Sequence, residues 1–322
     1  MFAAIEGRFS RRLTLDALSG GLTIARLAQL LSQDEKTSAS PEIIVPLQPM
    51  GDLPPFFCVH GIGGDVFHLQ RLASHMGTTR PFLGLRRPSD SSSETLNEMA
   101  IRYVAAMLRW QPVGPYYLGG HSFGATVAYE MAVQLLAQGH QVGRLVIIDQ
   151  RRPGWRPNVR SVLSALHRIL GHIPYRLSYE LARIPAADRW QHIRRTLSRW
   201  SKAAVGNRGD AAFMFNLTDP EQIAVFEANL RALRSYRPTA VPLPIILFRA
   251  KVRLLSHFAL DSSLGWRDFT KGEVSVCMLP GDHASIMAEP MVGRLAKMIS
   301  DELDDAQRGF FVKARKSSAG RP

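Results

Sequence analysis

The chain reads as an α/β protein, a mostly parallel sheet with helices on both faces and a helical lid inserted between strands. Three observations predict it. Short apolar runs alternate with longer stretches of helical period from Phe56 to Ile148. The stretch Tyr117-Leu118-Gly119-Gly120-His121-Ser122-Phe123-Gly124-Ala125 sets a Gly-x-Ser-x-Gly turn between one such run and one such helix. Over about residues 150–235 the alternation gives way to an arginine-rich, helix-like segment, and apolar runs resume at Pro244–Phe248 and Val274–Met278.

In chain order, residues 1–35 form a leading segment in which Ile24, Leu27, Leu30 and Leu31 recur at helical spacing. Residues 36–42 are polar, include Pro41, and read as a linker. The main domain begins at Ile43. Phe56–Val59 is a strand-like run followed by His60-Gly61-Ile62-Gly63-Gly64, a glycine loop that can turn a backbone amide toward a bound oxygen. It has neither the Gly-x-Gly-x-x-Gly spacing nor the lysine of a phosphate loop. Val66–Met76 reads as a helix and Phe82–Leu85 as a strand. Thr95-Leu96-Asn97-Glu98 is a capping box opening a helix to about Trp110. The strand into the turn follows Pro115, the helix after it runs from Ala125 to about Leu136, and Gly139 stops that helix. Arg144–Asp149 is the next strand and ends in an acid. A last helix, about Met291 to Leu303, closes a domain of residues 43–303. Residues 304–322 are polar and basic and are expected to be a disordered tail.

Bulk properties narrow the function. A length of 322 residues, 46% hydrophobic, suffices for one large α/β domain with appendages. No run of about 18 apolar residues suggests a membrane span. The first residues carry Glu6, Arg8, Arg11 and Arg12 in place of an apolar signal core. Two cysteines, Cys58 and Cys277, both in expected strands, give no disulfide framework, so the cytoplasm is the expected location. The net charge of +13 favours polyanionic partners. No zinc spacing or nucleic-acid motif accompanies it, so neither a metal nor nucleic acid is expected.

The chemistry centres on Ser122. In Gly-x-Ser-x-Gly between strand and helix, the serine sits on a strained turn, and glycines two positions to either side avoid a Cβ collision. A serine hydroxyl needs a base, and with an elbow of this kind the chain order is Ser, then Asp or Glu, then His. Ser122, an acid and His283 have that order, and His283 lies in Gly281-Asp282-His283 just after the last expected strand. His257 is the competing base, after the preceding strand. His121 adjoins the nucleophile but is expected to point elsewhere, and His60 is expected to be a structural hydrogen-bonder. For the acid, Asp149, Asp261 and Asp282 remain open, two of them being ordinary loop carboxylates.

The segments "PFFCVHGIGG", "YYLGGHSFGATVAYEMAVQLLAQGHQV", "LVIID", "LPIILFRA" and "LPGDHASIM" together resemble the thioesterase domains that end nonribosomal peptide and polyketide synthases. The resemblance covers about residues 43–303. It implies an α/β-hydrolase fold with a helical lid, and it implies Asp149 as the acid. The leading "IEGRFSRRLTLDALSGGLTIARLAQLL" resembles the end of a phosphopantetheine carrier domain, without that domain's modifiable serine. Many members have a glycine where Ala125 stands, and the lid matches weakly, so the resemblance does not name the substrate. The implied activity is a serine thioesterase with Ser122 as nucleophile, His283 as base and Asp149 orienting it. The amides of Phe123 and Ile62 (or Gly63) would form the oxyanion hole. No cofactor of its own is implied, the substrate riding on the phosphopantetheine of a partner carrier protein or upstream synthase. Two rival readings are a general serine ester or amide hydrolase on the same fold and a non-catalytic binding module.

Overall fold

A computed structural model describes residues 43–88, 94–154, 219–252 and 261–319, with side chains as far as residue 310, and single positions at 28, 185, 186 and 190. The carrier-like leading segment and its linker, apart from Ala28, lie outside the described residues, as do most of the expected lid and His257.

Among the described residues, seven strands form one sheet: β1 (Ile44–Gln48), β2 (Phe56–Val59), β3 (Phe82–Leu85), β4 (Tyr116–His121), β5 (Val142–Ile148), β6 (Ile245–Ala250) and β7 (Val274–Leu279). Their order is β1-β3-β2-β4-β5-β6-β7. All pairings are parallel except β1 with β3. Strands β2, β3, β4 and β6 are buried along their whole length, as unbroken apolar runs must be when both sheet faces are covered. The antiparallel edge strand β1 was not legible in Ile44-Val45-Pro46-Leu47-Gln48, where a proline interrupts a run only five residues long.

Alternate strand residues feed two cores. Phe57, Leu118, Leu145, Ile147 and Leu247 pack on one face with α2 (Leu96–Trp110) and α3 (Phe123–Ala137), through Met99, Tyr103, Val127 and Met131. Phe56, Cys58, Tyr117, Val146, Ile246 and Phe248 pack on the other with α1 (Gln70–His75) and α5 (Met291–Ala319), through Leu72, Val292, Leu295 and Ile299. The segment read as one helix from Val66 is a 3-10 turn, Phe67–Leu69, leading into α1. Thr95 and Glu98 do form a reciprocal capping box on α2. In the expected lid, α4 (Pro220–Ser235) starts with Asp219 accepting from the Glu221 amide and with proline in the first turn.

The expectation of a disordered tail from Asp304 is corrected. Helix α5 continues from Met291 to Ala319. Buried Arg80 explains its start, donating to Asp304 at 3.1 Å and Gln307 at 2.7 Å. Arg308 also pairs with Asp305 one turn back. Charge composition suggested solvation, whereas helical spacing gives Asp304, Asp305 and Arg308 partners.

Candidate active site

Strand β4 ends at His121 and α3 starts at Phe123, so Ser122 alone makes the turn, with φ 56° and ψ −125°. That backbone is costly for a residue with a Cβ. The flanking glycines allow it. A Cβ on Gly120 would lie 2.2 Å from the Gly124 carbonyl carbon, and one on Gly124 would lie 2.3 Å from the His60 oxygen. The second contact seats the start of α3 directly against the glycine loop. The amides of Phe123, Ile62 and Gly63 have no hydrogen-bond partner among the described residues. Phe123 belongs to the helix N-terminus, where unpaired amides favour negative charge.

Asp149 follows β5, also with positive φ, 49°. Its side chain is 3% exposed. One oxygen accepts the Ala250 amide at 2.9 Å, and the other is 2.8 Å from His283 Nδ1. His283 therefore donates from Nδ1 and keeps the Nε2 lone pair for another proton. The rival acids are committed locally. Asp261 accepts from the Ser263 hydroxyl at 2.7 Å and the Gly265 amide at 3.1 Å. Asp282 accepts from the amides of Ala284 and Ser285 at 3.0 and 2.9 Å. No hydrogen bond joins Ser122 to His283 among the described residues. Such contacts are often loose in a ligand-free site and tighten when substrate arrives.

The sequence reading did not foresee how histidines support the loop of His283. His121 packs its ring 4.6 Å from that of His283, and its Nε2 donates to the His283 carbonyl at 3.1 Å. Burial first, then the His283 charge, push its pKa well below the usual imidazole range. His60 is fully buried, donates from Nδ1 to the Gly61 carbonyl at 2.5 Å, and accepts from the Tyr103 hydroxyl at 2.7 Å. Burial holds its pKa down at about 3. Both rings are thus neutral in the folded protein, whereas the unfolded chain protonates them near pH 6.5. A lowered folded pKa means stability present above pH 6.5 and lost as the pH falls toward the folded value. We expect the His60 ring to remove about 2 kcal/mol between pH 7 and pH 5, with His121 acting in the same direction. Denaturant titrations at those two pH values check this, and equal stability at both would contradict it.

Asn229 on α4 was also missed. It is fully buried, and its Nδ2 donates to the Ile62 carbonyl at 2.7 Å while its oxygen accepts from Arg87. Arg87 in turn donates its amide to the Gly64 carbonyl at 2.9 Å. In a trans peptide, fixing the Ile62 carbonyl aims the Gly63 N–H the opposite way. A helix of the expected lid thereby orients one candidate oxyanion donor. The only signal in sequence is a polar residue on a face otherwise made of Phe226 and Ala232. Asn229→Leu should lower kcat about tenfold with little change in KM, less than loss of a donor itself. A change confined to KM would deny it this role.

The sheet order, the strained serine at its centre and the acid after the next strand define an α/β-hydrolase. More narrowly, the chain is similar to the thioesterase domains of nonribosomal peptide synthetases. The family described as "Thioesterase domain" matches residues 54–176. Chondramide synthase cmdD of Chondromyces crocatus is 27% identical over 322 residues, covering 94% of this chain and 8% of that protein. A dimodular nonribosomal peptide synthase of Bacillus subtilis (strain 168) is 26% identical over 317 residues, covering 96% of this chain and 13% of that protein. The chain thus spans only a small part of these relatives. Among solved structures, a holo four-domain nonribosomal peptide synthetase, AB3403, is 28% identical with a TM-score of 0.59. It is matched over 93% of this chain and 23% of its own. The wild-type Vlm2 thioesterase domain shares the fold with a TM-score of 0.51 at 22% identity, over 80% of this chain and 96% of its own. No described helix is long and apolar enough to cross a membrane.

Proposed function

We propose that this chain is a serine thioesterase that releases an acyl or peptidyl chain from a phosphopantetheine carrier in nonribosomal peptide-type biosynthesis. The observation that carries the reading is the 2.8 Å contact of Asp149 with His283, made beside the elbow that bears Ser122. In this mechanism His283 Nε2 takes the Ser122 proton as Oγ attacks the thioester carbonyl, and Asp149 stabilises the resulting imidazolium. The amides of Phe123 and of Ile62 or Gly63 hold the oxyanion. The tetrahedral intermediate collapses, the pantetheine thiol leaves with the proton from His283, and an acyl ester stays on Ser122. Water, or a nucleophile within the acyl chain, then attacks that ester with His283 again as base, giving a free acid or a cyclic product. These steps need no metal or cofactor from the chain itself.

The partner is a carrier protein or the carrier domain of an upstream synthase. Matches covering 94% and 96% of the chain extend before Ile43, which supports reading residues 1–35 as the end of a carrier domain. The test is release from a panel of acyl-carrier thioesters alongside matching oxyesters. Faster thioester turnover is expected, and faster oxyester turnover would favour the general esterase reading.

The charge balance adds a prediction. Carrier arms bear a phosphate, and Arg151 and Arg152 lie just after Asp149. Raising salt from 0.1 M to 1 M shortens the screening length from about 10 Å to about 3 Å. kcat/KM for a carrier-bound thioester should fall steeply across that range, while a small uncharged thioester hardly changes. Parallel salt curves would remove electrostatic steering from the account.

A further inference from the structure

The loop after β5 and one side of α4 line a half-open cavity of about 450 Å³. Gln150, Arg151 and Arg152 line it from the loop, and Leu230, Arg234 and Arg237 from the helix. No acidic residue is among its described lining. Guanidinium groups gathered around one space repel one another, and an anion placed between them removes that repulsion. Part of their hydrogen-bonding capacity is used. Arg237 donates to the Arg234 and Tyr236 carbonyls at the end of α4, at 3.1 and 3.0 Å. Arg152 sits 5.3 Å from the Phe269 ring centroid and 3.6 Å from Asp268. That approach to Asp268 is made by its Nε, which is buried and lies too far from the carboxylate to hydrogen-bond. The Arg234 guanidinium makes no hydrogen bond or ion pair with a described residue.

Position ties this cavity to the reaction. Arg151 is two residues beyond Asp149, so their Cα atoms are at most about 7.6 Å apart. Leu230 is the neighbour of Asn229, so one helix both walls the cavity and holds the glycine loop. The leucine side chains give the cavity an apolar wall beside its charges. That combination suits an anionic group borne on an organic chain better than a free inorganic ion.

We propose that this cavity is an anion subsite that takes a phosphate or carboxylate carried by the thioester substrate; this rests on the thioesterase reading above. Arginine is suited to the task because its planar fork grips such groups through paired hydrogen bonds. Two parts of a carrier-bound substrate bear the charge: the phosphate of the pantetheine arm, and a carboxylate on the acyl or peptidyl chain.

The test is calorimetric binding to the full chain of three unreactive probes: 4′-phosphopantetheine, a glutaryl amide of pantetheine, and plain pantetheine as the neutral control. At least one anionic probe should bind about tenfold tighter than pantetheine, and which one gains names the source of the anion. The advantage should vanish in Arg151→Gln/Arg234→Gln, while hydrolysis of a neutral acyl-pantetheine thioester stays at the wild-type rate. Equal binding of all three probes would overturn the subsite, as would an advantage that survives the double substitution. Loss of neutral-thioester hydrolysis in that variant would also overturn it, by making the arginines structural. Binding is read without turnover, so a wild-type chain that hydrolyses no thioester would refute the thioesterase reading and leave the binding result to stand or fall separately.

Discussion

Ser122→Ala and His283→Ala should each lower thioester turnover by about 10⁶-fold, the scale on which an acting triad loses its nucleophile or its base. The two losses should not add, because each disables the same step. The elbow holds Ser122 at φ 56°, a conformation with no use except to present the side chain clear of the sheet. His283 is the one histidine that the described structure joins to a buried carboxylate, through Nδ1 at 2.8 Å. Steady-state kinetics of the two single variants and the double variant check this. Near-normal turnover in His283→Ala, with loss in His257→Ala, would move the base.

The second large effect is at Asp149. Asp149→Asn should cost about 10⁴-fold in kcat while leaving the fold intact. The geometry gives the reason. The Ala250 amide donates to one Asp149 oxygen at 2.9 Å, so an asparagine there keeps its carbonyl toward Ala250. Its amide group must then donate to His283 Nδ1, which forces the ring proton onto Nε2, where the base needs a lone pair. Asp261→Asn changes only a turn that accepts from Ser263 and Gly265, and should leave kcat within a few-fold of the wild type. Kinetics of the two variants side by side settle the order, and the reverse ranking would make Asp261 the acid.

Where residues act through local patterns, the sequence was readable. Gly120 and Gly124 flank Ser122 because nothing larger fits, so the elbow is visible as spacing. The apolar runs at Phe56–Val59 and Ile245–Phe248 announce strands buried on both faces. The choice of Asp149 over Asp261 needed a resemblance, because both acids follow strand-like runs and only three-dimensional contact separates them. Features set by long-range packing left little local trace. Asn229 meets Ile62 across 167 residues, and His121 meets the His283 carbonyl across 162. The extension of α5 past Leu303 depended on Arg80, more than 200 residues earlier in the chain. The edge strand β1 pairs antiparallel to β3 through backbone groups that any sequence supplies.

The most direct measurement is the rate and site of labelling by a fluorophosphonate, followed by intact mass and by sequencing of the modified peptide. It reports an activated serine without presuming a substrate. The account predicts one adduct per chain, on Ser122, absent in Ser122→Ala and slowed by orders of magnitude in His283→Ala and Asp149→Asn. An adduct on another residue, or labelling of Ser122 at the wild-type rate after His283 is removed, would contradict it.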